Sequence, residues 1–212
     1  MKQNMRKRTP LAVLLALCLA MQLCVPAAMA SNRLMRAGDA AIAQIEEEEG
    51  FRAEKYSSGG KWYIGYGTEC GAEDYPEGIT REEAELLLMS KVEAYEAKLN
   101  DFFDRYDVTP TQGQFDALIC FSYNFGTGWM SGTSDLVKIA RGEKDATRLE
   151  VAHAFGEWCH SGGQAQAGLA DRRLQEAAIY LDDSTRAAEN EFAYLIINME
   201  SGTSYETDFA VY

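Results

Sequence analysis

Apolar and polar residues follow each other along this chain with changing period, and the changes divide it. An unbroken apolar run, LAVLLALCLAMQLCV from Leu11, follows Lys2, Arg6, Lys7 and Arg8 and leads to Ala28-Met29-Ala30. A basic head, an apolar middle and a small-residue end form the layout of a secretory signal peptide, and the run is shorter than the roughly 20 residues a spanning helix needs. Over residues 33–49, Leu34, Ala37, Ala41 and Ile45 recur at three- and four-residue spacing. That spacing predicts a helix, closed by the run Glu46 to Glu49 and capped by Gly50. From Tyr56 to Thr68 the period shortens to that of strands, broken at Gly59-Gly60 and by Gly65 and Gly67. A hairpin or a small three-stranded sheet is expected there.

Helical period returns in TREEAELLLMSKVEAYEAKLNDFF, where Thr80 and Glu83 stand at the spacing of a capping box. A helix of about 24 residues is long enough to act as a spine between two lobes. Four shorter helical stretches follow, TPTQGQFDALICFSYNFG, SDLVKIARGE, DATRLEVAHAFGEW and LADRRLQEAAIYL, separated by glycine-rich or polar turns. After Asp182 the segment YLIINMESGTSYETDFAVY reads as two strands and a turn, either an edge hairpin or the start of a further module. The expected class is α+β, mostly helical, with the sheet confined to an N-terminal lobe. The expected organisation is a signal peptide over 1–30, one domain over 31–183 and a β-like tail over 184–212.

Charge narrows the partners. Loss of residues 1–30 removes four of 20 basic residues and none of 33 acidic ones, moving the net charge from −13 to −17. A field of that sign does not draw a protein to nucleic acid or to an anionic membrane surface. No stable membrane association is expected after signal cleavage, and the expected location is outside the cell or at its wall. Roughly 180 residues suffice for one sizeable core. Three cysteines remain, Cys70, Cys120 and Cys159. Cys120 lies in an apolar helical stretch as a small buried hydrophobe, which leaves Cys70 and Cys159 as the candidate disulfide. His153 and His160 lack the clustered spacing of a metal site.

The segments EEGFRAEKY, WYIGYGT, GITREEAELLL, TQGQFDALICFSYNFGTG and GLADRRLQEAAIYL occur in the order and spacing of the phage-type lysozymes, glycoside hydrolase family 24, which the chain resembles over residues 37–181. The resemblance implies a two-lobed fold with a long connecting helix. It also implies a monomer that cleaves bacterial peptidoglycan between N-acetylmuramic acid and N-acetylglucosamine, with no metal or cofactor.

The resemblance selects Glu49, directly before Gly50, as general acid. Helical geometry agrees that the four glutamates cannot act together, because each is turned about 100° from the last. A glycosidic acid needs a raised pKa, and partial burial beside three carboxylates acts in that direction. Family members commonly carry aspartate two residues after the tyrosine and threonine just before Ile-Gly-Tyr-Gly; this chain has Ser58 and Tyr63. A serine hydroxyl stays protonated near neutral pH, so Ser58 and Tyr63 are expected to orient a water. Glu54, Glu69 and Asp74 are the nearest alternative carboxylates. Thr68 stands where many members have histidine, in a structural role. For substrate binding, Tyr123 and Asn124 in SYNFGTG and Trp158 in EWCHSGGQ combine aromatic and amide groups on turns. The resemblance gives a basic residue near Arg172 and Arg173 the task of holding the N-terminal carboxylates. Arg173 is favoured for it and is also counted with the substrate-binding residues, with a surface pair to Glu176 as the alternative.

Overall fold

The computed structural model describes residues 34–182. The segments expected as a signal peptide and a C-terminal β-like tail therefore lie outside the described residues. The elements in chain order are α1 (Asp39–Glu49), β1 (Arg52–Ser58), β2 (Lys61–Gly65), β3 (Thr68–Cys70), α2 (Arg81–Tyr106), α3 (Gln112–Phe125), a 3-10 turn (Gly128–Ser131), α4 (Asp135–Ala140), α5 (Arg148–Gly156), β4 (His160–Ser161), β5 (Gln164–Ala165) and α6 (Ala167–Tyr180). The expected α+β layout is present, with three antiparallel strands in the order β1-β2-β3, but the sheet is not confined to the N-terminal part: β4 and β5 form a second antiparallel pair around the turn at Gly162-Gly163.

The first helix is shorter than its apolar spacing predicts. Met35 to Gly38 stay extended because their backbone finds better partners elsewhere. The Met35 amide donates to Asn100 Oδ1 at 2.8 Å, the Ala37 amide to Glu96 at 2.7 Å and the Gly38 amide to Asp116 at 2.8 Å. Buried Glu96 and Asn100 on α2 thus hold the entering chain like a strap. At the other end Gly50 still donates its amide to the Glu46 carbonyl but takes φ of +63°, which turns the backbone out of the helix after Glu49.

The hairpin turns at Gly59-Gly60, both with positive φ, as a two-residue connection between twisted strands requires. It pairs Tyr56 with Tyr63 and Ser58 with Lys61, while Tyr63 pairs with Glu69 on β3. Directly paired residues share a face, so Tyr56, Ser58, Lys61, Tyr63 and Glu69 stand on one side of the sheet. β1 begins at Arg52, earlier than the sequence pattern indicates. Arg52 to Lys55 show no alternation; they are held in a strand by a register shift against β2 and by the Ile79 amide donating to Ala53 O at 2.9 Å.

α2 carries the expected capping box at Thr80 and Glu83 and buries Ala84, Leu88, Val92, Leu99, Phe102 and Phe103. α3 is buried without interruption from Phe115 to Tyr123, as befits a helix enclosed by α1, α2 and α6. Cys120 sits in that core as expected. The Cys70–Cys159 pairing is not formed: both are thiols, Cys70 at the end of β3 and Cys159 buried with Ala170 beside the β4–β5 hairpin.

Candidate functional site

Elements from both lobes converge on a cleft of about 260 Å³ lined by Glu49, Tyr56, Ser58, Tyr63, Gly67, Lys91, Tyr123 and Asn124. Five sequence-selected residues meet there: Glu49 from the end of α1, Ser58 and Tyr63 from the sheet, and Tyr123 and Asn124 from the end of α3. Of the four glutamates in the run, Glu49 is the one in the cleft.

Glu49 is fixed by its partner. Its Oε1 accepts a hydrogen bond from Arg172 Nη1 at 2.8 Å, and its side chain remains 21% exposed where that of Arg172 is 6% exposed. The other oxygen, Oε2, faces Gly67, where an added Cβ would stand 3.2 Å away. Gly67 has φ of +75°, so both the backbone and the space beside the carboxylate call for glycine.

Arg172 also reaches Glu176 Oε1 at 3.4 Å, and Arg173 Nη2 donates to the same oxygen at 2.9 Å and to Asn124 Oδ1 at 2.9 Å. One helix, α6, therefore ties the end of α1 to the end of α3 through Glu49, Arg172, Glu176, Arg173 and Asn124. Burial pushes the Glu176 carboxyl up to about 7 against the pull of Arg173 and Arg172. Burial likewise holds the Arg173 guanidinium below its usual value.

This network corrects two expectations. Arg173 is fully buried beneath Asn124, with its guanidinium 4.7 Å from the Phe121 ring, so it cannot touch a substrate. The basic residue that holds Glu49 is Arg172, one position earlier. Arg173 does pair with Glu176, but inside the core and not on a helix surface. Trp158 does not line the cleft either, because its ring packs edge-on against Phe125 at 4.7 Å and Phe121 at 5.5 Å. His160 is exposed on the β4–β5 hairpin, away from the lining residues.

The remaining walls are aromatic and are held from behind. Tyr56 and Tyr63 stack at 5.7 Å between centroids, and Arg52 sits 4.4 Å above Tyr56. Tyr123 donates its hydroxyl to Tyr66 O at 2.8 Å and meets Tyr95 edge-on at 6.2 Å. Burial, and then the charge of Glu49, push the Tyr123 hydroxyl far above its usual range, so it remains a donor. Glu69 shares the sheet face of Tyr63 but is engaged by Lys61 Nζ at 2.8 Å and does not line the cleft. Glu49 is thus the single carboxylate among the lining residues. Among the described residues, no group of three or more His, Cys, Asp or Glu side chains is placed to hold a metal.

Lys91 was not anticipated. Its ammonium stands 3.8 Å over the Tyr123 ring, and burial pulls its pKa below the ordinary lysine value. The sequence carried a signal: Lys91 falls between Leu88 and Tyr95 at three- and four-residue spacing, interrupting the apolar stripe of α2.

Comparisons with known proteins agree with this architecture. The family model described as phage lysozyme matches residues 46–176. An endolysin of Bacillus phage B103 is 33% identical over 165 residues, which cover 74% of this chain and 58% of that protein. The chain thus spans little more than half the length of that relative. Among solved structures, the endolysin from Escherichia coli O157:H7 phage FAHEc1 is similar with a TM-score of 0.59 and 32% identity, over 70% of this chain and 94% of that one. The muramidase domain of SpmX from Asticaccaulis excentricus is similar with a TM-score of 0.54 and 28% identity, over 69% of this chain and 97% of that domain.

Proposed function

We propose, from the premise that this chain belongs to the phage lysozyme family, that it is a peptidoglycan hydrolase of the muramidase type. Glu49 protonates the glycosidic oxygen between N-acetylmuramic acid and N-acetylglucosamine. The observation that carries this reading is the position of Glu49: one oxygen fixed by Arg172 at 2.8 Å, the other beside Gly67 in a cleft between the lobes.

In this reaction Oε2 gives its proton to the leaving oxygen as the glycosidic bond breaks, and Arg172 steadies the carboxylate that results. Tyr63 stands at the cleft as the aromatic surface for a sugar, backed by its stack on Tyr56. Asn124 spends Oδ1 on Arg173 and keeps its amide N–H groups for acceptors such as N-acetyl carbonyls. A water must attack the opposite side of the sugar. With no second carboxylate lining the cleft, Ser58 and Tyr63 orient it by hydrogen bonding rather than deprotonating it. Turnover is then reduced by the share that a general base supplies, on the order of 10²–10⁴. The N-terminal signal segment delivers the protein to the wall outside the membrane.

A second reading follows from the same shortage: a protein that binds peptidoglycan in this cleft and turns it over negligibly. Release of new reducing ends from purified peptidoglycan separates the two. Glu49→Gln keeps the shape and loses the transferable proton, so hydrolysis should fall about a hundredfold or more. Hydrolysis that persists undiminished in this variant removes Glu49 from the mechanism.

A further inference from the structure

Lys91 is placed in a way that the chemistry at Glu49 does not explain. The two charged side chains lining the cleft are Glu49 and Lys91, and Glu49 is already neutralised by Arg172 at 2.8 Å. Among the described residues the Lys91 ammonium has no carboxylate within ion-pair distance; it feels the charge of Glu49, but what it directly faces is the Tyr123 ring at 3.8 Å. Holding a partly desolvated ammonium against a ring leaves most of its attraction for an anion unspent. The cleft thus carries a local excess of one positive charge in a chain whose net charge is −13. The net charge disfavours anions on average, and Lys91 is the one cation among the residues that line the cleft.

We propose that Lys91 recognises a carboxylate on the substrate, and that this contact determines which glycans occupy the cleft. The inference rests on the peptidoglycan reading above. That polymer differs from an uncharged N-acetylglucosamine polymer in carrying carboxylates, either on the lactyl ether of the muramyl sugar or on attached peptide. The ammonium accepts the carboxylate while the Tyr123 ring supports it from behind, and Glu49 and Arg172, the other charged groups closest to it, remain occupied with each other. The selection is electrostatic, so it weakens with salt.

Calorimetric titration tests this in the parent protein, with tetrasaccharides made resistant to cleavage by thioglycosidic linkages, so that Glu49 and Arg172 stay paired. The probes are a muramyl-containing tetrasaccharide with free lactyl carboxylates, the same glycan with those groups converted to amides, the same glycan carrying stem peptides, and an uncharged tetrasaccharide of N-acetylglucosamine. A free carboxylate should tighten binding about tenfold or more over its amide, and Lys91→Met should abolish that difference. Lys91→Arg should retain most of it, and the uncharged tetrasaccharide should bind parent and variants alike. Whether the lactyl or the peptide carboxylate produces the tightening assigns its source. Equal binding of acid and amide by the parent, or a preference that survives Lys91→Met, overturns the proposal. Met retains the aliphatic stem and removes a desolvated charge, so the variant should melt no lower than its parent. If no reducing ends are ever released but the carboxylate preference stands, the muramidase reading fails and the role of Lys91 does not.

Discussion

At Ser58 a single residue has a direct experimental consequence. Its side chain is exposed near the hairpin turn, opposite Lys61, so a larger polar group meets no steric penalty. Ser58→Asp should supply the missing base and raise turnover about tenfold or more, measured as the initial rate of reducing-end release. Lys61 on the facing position is held by Glu69 at 2.8 Å, which leaves the new carboxylate available to a water. An unchanged or lower rate in a folded Ser58→Asp protein would show that another group already fills the role, and Glu69 would be the next residue to replace. The same residue-level logic separates Arg172 from Arg173. They are adjacent in sequence, yet a helix turns them about 100° apart, so one reaches Glu49 and the other Asn124.

Among the elements, the crossing of α3 and α6 decides whether the cleft keeps its shape, since α6 supplies both arginines and α3 supplies Tyr123 and Asn124. The backbones of the two helices meet where Gly113 stands against the carbonyl of Ile179, with no room for a Cβ. Gly113→Ala must push backbone against backbone, which a side-chain rotation cannot relieve. The expected cost is about 1–3 kcal/mol, read as a lower urea midpoint with unchanged slope. A midpoint within error of the parent would show that the helices can separate freely there, and the rigid placement of Arg172 and Arg173 would lose its support. Capping matters less at this level: three helices carry complete Thr-based boxes, at Thr80, Thr111 and Thr147. Each contributes about 1 kcal/mol and fixes where its helix begins.

For the whole molecule, acidity and burial act together on stability. Burial raises the carboxyl pKa of Glu176 to about 7 and also raises those of Glu48 and Asp116. A group that binds its proton more tightly when folded adds stability that is complete below the unfolded value, and that is lost as pH rises through the folded one. For Glu176 that window runs from about 4.5 to about 7. Self-repulsion at a net charge of −13 grows in the same direction. The melting temperature should therefore be about a few degrees higher at mildly acidic than at mildly alkaline pH, by calorimetry, and Glu176→Gln should flatten the dependence. A profile that rises through neutral pH would mean that Arg172 and Arg173 keep Glu176 ionised and dominate over its burial.

What could be read from the sequence alone was what depends on neighbours a few residues away. The spine helix with its Thr80 box, the turn at Gly59-Gly60, the cap at Gly50 and the buried Cys120 follow from local period or local turn chemistry, while the family resemblance singled out Glu49, the one glutamate of the run that lines the cleft. What only the tertiary structure decided depends on partners far along the chain. The extended stretch before α1 exists because Glu96, Asn100 and Asp116 outbid helical hydrogen bonds for its amides. Arg172, not Arg173, meets Glu49 across 123 positions because helix rotation and packing, not composition, set its direction. Trp158 stayed half-buried against the edge of the core, beside Phe121 and Phe125, and Lys91 went to the cleft because α2 turns that point of its stripe toward Tyr123. Local pattern determines which elements form; only packing determines which side of each one faces the cleft.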